Sequence, residues 1–270
     1  MDKKTLFEVR NIDFSYGENK ALDNLFLTVE PGKFYGIVGP NGCGKTTFLD
    51  LLVRNKTPQS GTIEYLGRRI EGYTRRRLAR EISLVPQDFY INFPFTVREI
   101  VLMGRHPYIT RFASPSAEDL DIVDGVMRKM GIDKFRDKYI TELSGGEKQR
   151  VIFARAMAQD TPVLILDEAT SNMDIEYTLN SLDIMAYGVE FKKQTVIAAL
   201  HNLNLAAAYC DELIFMKSGR IVSKGSTDEV LNEQNIKDVF EVDSKIYFDQ
   251  YSNSKQVIFK RRRQSERKDN

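Results

Sequence analysis

The run Gly39-Pro40-Asn41-Gly42-Cys43-Gly44-Lys45-Thr46-Thr47 holds the most chemistry per position in the chain. It fits G-x-x-x-x-G-K-[ST]. An apolar stretch, Phe34 to Val38, precedes it, and Phe48, Leu49, Leu51 and Leu52 begin a helical pattern after it. Each part has a physical task. Glycines let backbone N–H groups turn inward around phosphate oxygens, and a helix N-terminus behind them adds positive partial charge. Lys45 supplies a full charge for the β- and γ-phosphates, and the Thr46 hydroxyl is placed to ligate Mg²⁺. A glycine-rich turn without a nucleotide would need neither the Lys-Thr pair nor the strand–helix setting.

A second run, Val163-Leu164-Ile165-Leu166-Asp167-Glu168, is a buried-strand pattern that ends in two carboxylates. Ligands of open parallel sheets bind at the carboxyl ends of strands, where the Phe34 strand also delivers its phosphate loop. Asp167 there can hold Mg²⁺, and Glu168 can orient and deprotonate an attacking water. An acidic helix N-cap is the plainer alternative. His201 ends another apolar run, Val196–Leu200, and should reach the same crevice to touch a γ-phosphate.

Leu143-Ser144-Gly145-Gly146-Glu147 opens the helical stretch Lys148 to Ala158. Ser144 and Glu147 have the spacing of a capping box, which alone would explain both. Two adjacent glycines are costly there, at about 0.5–1 kcal/mol each relative to alanine. They make sense if a phosphate comes close to bare N–H groups. One chain then carries two phosphate-grade helix ends, and head-to-tail pairing of two copies would set each against the other.

These residues need a scaffold. Phe7, Val9, Ile12, Phe14 and Tyr16, then Leu25, Leu27 and Val29, alternate with polar residues as strands do. Val163–Leu166, Val196–Leu200 and Leu213–Met216 are continuous apolar runs, as parallel strands covered on both faces should be. Ser218-Gly219 reads as a hairpin turn between Leu213–Lys217 and Arg220–Lys224. Between residues 95 and 160 strand patterns fade and helical spacing takes over. The expected fold is an α/β core, residues 1–90 and 160–258, split by a helical insertion over 91–159.

Composition sets outer limits. With 270 residues, 42% hydrophobic and 29% charged, the chain reads as a globular protein. It has no apolar run near the 18 or so residues of a membrane span, and its charged start lacks an apolar leader, which speaks against secretion. Two cysteines, Cys43 and Cys210, cannot build a disulfide framework and are expected as reduced thiols. Cys43, in a nest of N–H groups beside Lys45, is expected to have a lowered pKa and to react ahead of Cys210. The net charge of +1 divides into +4 on Lys260–Asn270 and −3 on the rest, so residues 259–270 are expected as a basic, disordered tail. A solubilising end is its plain reading, with anionic lipid next. The body is not basic, which argues against nucleic acid. Arg68, Arg69, Arg75, Arg76, Arg77 and Arg80 lack interleaved aromatics apart from Tyr73 and are read as a solvated or permease-facing surface.

In order and spacing, Gly39–Thr47, Leu143–Glu147 and Val163–Glu168 resemble the Walker A, signature and Walker B motifs of ATP-binding cassette (ABC) ATPases. The resemblance covers roughly residues 5 to 240. It implies a RecA-like P-loop core with an N-terminal antiparallel β subdomain, an inserted helical subdomain, and a homodimer that sandwiches ATP and Mg²⁺. By position it implies that Tyr16 stacks on adenine, that Gln87 in Val85-Pro86-Gln87 touches Mg²⁺ and couples to a permease, and that Ser171-Asn172-Met173-Asp174 crosses the dimer interface. His201 resembles the switch histidine, with Asn202 where aspartate is common, and Met173 stands where leucine is usual. Met103-Gly104-Arg105-His106-Pro107-Tyr108 and Ala206–Asp211 resemble segments in ATPases of ferric-siderophore, haem and cobalamin importers. The implied partners are integral membrane permease subunits and, indirectly, an extracytoplasmic substrate-binding protein. The implied location is the cytoplasmic face of the membrane. Importers of bare metal ions and soluble cofactor-assembly ATPases are the alternatives. A nucleotide kinase would share the phosphate loop but would have no use for Leu143–Glu147 or the Asp167-Glu168 pair in this order.

Overall fold

Alternating side chains fold the first thirty residues back on themselves. Phe7–Tyr16 (β1) and Asn19–Val29 (β2) pair antiparallel across Gly17-Glu18, where Gly17 takes φ +58° and closes the two-residue turn. The computed structural model describes residues 5–87, 89, 91, 93–169 and 173–260. Phe34–Val38 (β3) leads to helix α1, Lys45–Leu52. Ser60–Tyr65 (β4) and Arg68–Arg69 (β5) join the first sheet, giving the antiparallel order β2-β1-β4-β5. Arg75–Glu81 (α2) then feeds Ile82–Val85 (β6).

Three helices follow before the next strand: Val97–Leu102 (α3), Ala117–Lys129 (α4) and Gly145–Ala158 (α5). Each begins with a reciprocal capping box, Thr96/Glu99, Ser116/Asp119 and Ser144/Glu147. The chain returns as Val163–Asp167 (β7), Ile175–Lys192 (α6), Thr195–Ala199 (β8), Leu203–Tyr209 (α7), Glu212–Lys217 (β9) and Arg220–Ser226 (β10). Thr227–Val230 (α8), Glu233–Phe240 (α9) and a hairpin of Ser244–Asp249 (β11) and Ser254–Phe259 (β12) complete it. The main sheet runs β10-β9-β3-β8-β7-β6, parallel except for β10 at its edge.

Strand periodicity divides the core in two. Phe34 and Val38 of β3, with Leu164, Leu166, Val196 and Ala198, pack among the helices. Tyr35 and Ile37, with Val163, Ile165, Ile197 and Ala199, pack on α1 and the antiparallel sheet. Burial on both faces explains the continuous apolar runs of β3, β7 and β8. Among the described residues no helix is long and apolar enough to cross a membrane. Two details depart from the sequence reading. The hairpin β11–β12 was not anticipated, and β12 extends through Phe259, into the stretch read as tail. Arg76 and Arg80 are not simply solvated: Arg76 donates to the carbonyls of Pro107 and Ile109, and Arg80 to that of Pro107.

Candidate functional site

Strands β3, β8 and β7 are neighbours, with Ile37 beside Ala199 and Ala199 beside Asp167. Their carboxyl ends therefore open together, and each ends in a residue singled out above. β3 runs into the loop Gly39–Gly44. Met216 O would lie 2.2 Å from a Cβ on Gly39, and Ala21 O 2.5 Å from one on Gly44. Gly44 also holds φ +106° as the N-cap of α1, whose first turn receives no side-chain cap. A helix start without a side-chain cap leaves its first N–H groups available to an anion. Asn41 and Gly42 are exposed at the tip, and Gly42 at φ +77° has open space around it.

Lys45 is buried, and its Nζ donates to Gly39 O at 3.0 Å and Pro40 O at 3.3 Å. It also lies 3.3 Å from Glu168 Oε1, while His201 Nε2 sits 2.6 Å from Glu168 Oε2. Thr46 Oγ1 donates to Asp167 Oδ1 at 3.0 Å. The two carboxylates are driven apart. Burial, helped by the Glu168 charge, pushes Asp167 up to about 6. Burial acts the same way on Glu168, but His201 and Lys45 outweigh it and hold that carboxyl below its ordinary value. Glu168 further occupies φ +50°, an uncommon conformation for a side-chain-bearing residue, which turns the chain sharply off β7.

Tyr16 stands at the rim, half exposed, 3.3 Å by its hydroxyl from Thr47 Oγ1 and with Lys56 Nζ 5.8 Å from its ring centroid. A cavity of ≈ 300 Å³ runs from Tyr16 past Gly42–Thr47 to Glu168. Asn19, Lys20 and Ala21 also line it, and sequence reasoning passed over them. Their place across the hairpin turn from Tyr16 was the available signal. The oxygens of Thr46 and buried Asp167 converge as hard donors should, so the residues fit Mg²⁺ beside a triphosphate.

Other expected residues stand elsewhere. Ser144 caps α5: its hydroxyl lies 3.4 Å from Glu147 N, and Glu147 Oε2 accepts from Ser144 N and Oγ at 2.8 Å each. Neither Ser144, Gly145 nor Gly146 lines the cavity of their own chain. Asp174 caps α6 through Tyr177 N at 3.0 Å, and Met173 packs on the core, 3.7 Å from the Ser181 hydroxyl. Ser171 and Asn172 lie outside the described residues. Gln87 is half-buried after β6, next to a separate ≈ 430 Å³ cavity lined by Pro86, Phe89, Arg155 and Gln159. An unforeseen bond, Gln149 Nε2 to Ala169 O at 2.9 Å, ties α5 to the chain just after Glu168. Nothing in the spacing of Gln149 pointed to it.

The expectation for Cys43 is overturned. Its sulfur is buried and packs beneath the loop, 2.8 Å from where a Gly39 Cβ would sit, and its N–H donates to Pro40 O at 3.3 Å. Burial therefore raises the thiol pKa, and the charge of Lys45 does not compensate.

A fold of this topology with a phosphate loop, a carboxylate pair and a histidine at three neighbouring strand ends defines a P-loop nucleotide-binding protein. The chain belongs to the ABC transporter family, whose family model matches residues 22–171. It is 38% identical over 234 residues to a cobalamin import ATP-binding protein of Halobacterium salinarum, covering 87% of this chain and 58% of that protein. The chain thus spans less than two thirds of that relative's length. A hemin import ATP-binding protein of Bradyrhizobium diazoefficiens is 35% identical over 250 residues, covering 90% of this chain and 91% of that one. Among solved structures, a metal-chelate type ABC transporter in an inward-facing conformation matches with TM-score 0.80 and 26% identity, covering 96% of this chain and 98% of that one.

Proposed function

We propose that this chain is the ATP-hydrolysing subunit of an importer that moves a metal chelate, of the iron-siderophore, haem or cobalamin kind, through separate permease subunits. The observation that carries the hydrolytic reading is the contact of Glu168 with both Lys45 and His201 at the mouth of the phosphate loop. Held below its ordinary pKa, Glu168 is ionised at neutral pH and can accept a proton from a water lined up on the γ-phosphate. His201 orients that carboxylate and is close enough to reach the same phosphate. Lys45 and the loop N–H groups of 39–47 bind the β- and γ-phosphates, and Tyr16 offers its half-exposed ring to the adenine. Mg²⁺, held by Thr46 and Asp167 with Gln87, would offset phosphate charge in the transition state.

The chelate reading rests on the relatives named above and on Met103–Tyr108. Residues 1–90 and 160–258 serve as core and β subdomain, and 91–159 as the helical arm that carries Ser144, Gly145 and Gly146. The capped end of α5, absent from its own chain's cavity, supports a head-to-tail homodimer in which Ser144 and Asp174 complete the partner's nucleotide site. Permease subunits hold this pair at the cytoplasmic face of the membrane and receive cargo from an extracytoplasmic binding protein.

Glu168→Gln tests the base. The variant keeps the cradle, so it should bind ATP like the wild type while hydrolysis falls by a factor of at least about 10². Turnover at the wild-type rate would remove Glu168 from the reaction. Cargo is tested with the permease that co-purifies in mild detergent, reconstituted in vesicles: ATP-dependent uptake of a haem or ferric chelate supports the reading, and uptake of the bare ion alone refutes it.

A further inference from the structure

Helix α2 and the loop after α3 build a face with an excess of positive charge. Arg75, Arg76, Arg77, Arg80 and Arg111 are all exposed, and among the described residues none of the five pairs with a carboxylate. Glu81, which lines this face and accepts from the Tyr65 hydroxyl at 3.2 Å, sets one carboxylate against these arginines. Arg76 and Arg80 spend donors on the carbonyls of Pro107 and Ile109, which pins the loop to the helix while leaving their charge in place. At the tip of that loop Phe112 is 94% exposed, beside the Arg111 guanidinium. A concavity of ≈ 700 Å³ lies between Arg75, Arg76, His106, Arg111 and Phe112.

An excess of arginines invites an anionic partner, and the aromatic rings decide which. A nucleic acid would want rings open for base stacking. Tyr73 is buried under Arg68 and Arg77, and Tyr108 is covered by Arg80 and Arg105. Only Phe112, of these three, offers its whole ring to solvent. One apolar wedge ringed by guanidinium groups matches the boundary of an anionic bilayer, where phosphates meet arginines and a ring enters the acyl edge.

We propose that the α2/106–113 face is a docking surface for anionic phospholipid headgroups, with Arg75, Arg77 and Arg111 taking phosphates and Phe112 inserting at the interface. The proposal rests on the peripheral membrane placement argued above. It adds a direct lipid contact that would brace the subunit independently of its permease.

The test is flotation of the full chain with vesicles of phosphatidylcholine alone, or with about 30% phosphatidylglycerol added. The wild type should float with the anionic vesicles only, and should release as salt shortens the Debye length. R75Q/R77Q/R111Q should lower the partition coefficient on the order of a hundredfold, since each arginine near such a surface contributes about tenfold or somewhat less. Phe112→Ser should lower it less, and Phe112→Trp should restore it. A chain ending at Lys260, which lacks the basic residues beyond, should keep most of the binding. The solution ATPase rate of the triple variant should match the wild type, because none of the three lines the nucleotide cavity, and its circular dichroism spectrum should show that the chain stays folded despite the loss of the Arg75 bond to Arg54 O and the Arg77 contact with Tyr73. Failure of the wild type to float, a triple variant that floats like it, or loss of binding on removing 261–270 alone would each overturn the proposal. Retention on detergent-solubilised permease that falls in the triple variant, with flotation unchanged, would assign the face to an acidic protein surface instead. If the wild type lacked ATPase activity yet floated as described, the lipid contact would stand and the hydrolytic reading would fall.

Discussion

Asp167 and Glu168 are chain neighbours whose carboxyl groups move in opposite directions, and the difference predicts how the nucleotide-free protein responds to pH. Asp167 titrates near 6 in the folded chain against 3.8 unfolded, so the native state binds that proton more tightly. The stabilisation is fully present below pH 4 and is lost as pH rises through about 6. Glu168, held low, contributes stability with the opposite slope, lost only in acid. Asp167→Asn keeps an oxygen for the Thr46 hydroxyl and never ionises. Without Mg²⁺ and nucleotide it should be more stable than the wild type at pH 8, on the order of 2 kcal/mol, the gap closing between pH 6 and 4. Urea denaturation across pH measures this, and a gap that widens in acid would contradict it. The thiols give a second expectation. Burial raises both Cys43 and Cys210, so a maleimide at neutral pH should leave both unlabelled over the time a urea-unfolded sample reacts fully. Peptide mass spectrometry reads the result, and rapid labelling of Cys43 would restore an open anion nest around it. At this scale the sequence was informative wherever residue type and spacing define a task, as at Lys45, Thr46 and Asp167. It failed for Cys43 because a motif specifies backbone shape and not which way a side chain points. It placed Lys45, Glu168 and His201 at one crevice, but their direct contacts were out of reach, since these depend on the φ of +50° at Glu168 and on strand order.

Among the elements, the turn Met103–Arg105 that follows α3 meets α5 so closely that only glycine fits between them. A Cβ on Gly104 would sit 2.2 Å from Arg155 O and 3.2 Å from the Ala158 Cβ, both fixed parts of α5. Next to it, buried Arg105 pairs with Asp119 at 2.9 Å and donates to Ala158 O at 2.9 Å, tying the same junction to α4. Gly104→Ala must push this turn away from α5, because backbone cannot yield as a long side chain would. It should cost about 1–3 kcal/mol, read as a lower urea midpoint at unchanged slope, whereas Gly125→Ala in α4, with open space around it, should not destabilise. Equal effects of the two would show that the junction is not close-packed. Strands β3, β7 and β8 were legible because burial on both faces writes unbroken apolar runs. The hairpin β11–β12 was not. Its strands alternate only weakly, with Tyr247, Phe248, Ile258 and Phe259 exposed, and long-range contacts hold it, among them hydrogen bonds between the Asn204 amide and the backbone of Val257, 53 residues away, and Lys255 donating to Leu231 O at 3.2 Å. No local pattern encodes such a contact.

On the scale of the whole molecule, the chain has one glycine-rich helix start that lines its own cavity and a second, at α5, that does not. Ser144 spends its hydroxyl on a capping box and lines no part of the Tyr16–Glu168 cavity. The proposed homodimer gives that end its partner, and Ser144→Arg separates the two roles. A long cation at the N-cap forfeits the cap, at about 1 kcal/mol, and fills the space in front of the Gly145 and Gly146 N–H groups. The monomer's own cradle, Gly39–Thr47 with Lys45, stays intact. Affinity of a fluorescent ATP analogue for the dilute monomer should therefore be unchanged in Ser144→Arg and strongly reduced in Lys45→Ala. In the Glu168→Gln background, where hydrolysis cannot dissolve the complex, Mg-ATP should shift the protein to a dimer on size exclusion. Adding Ser144→Arg should return it to a monomer and, in the hydrolytically competent chain, abolish turnover. If Ser144→Arg instead weakened monomer binding as much as Lys45→Ala, the end of α5 would belong to its own chain's nucleotide site, and the head-to-tail pair would lose its physical basis.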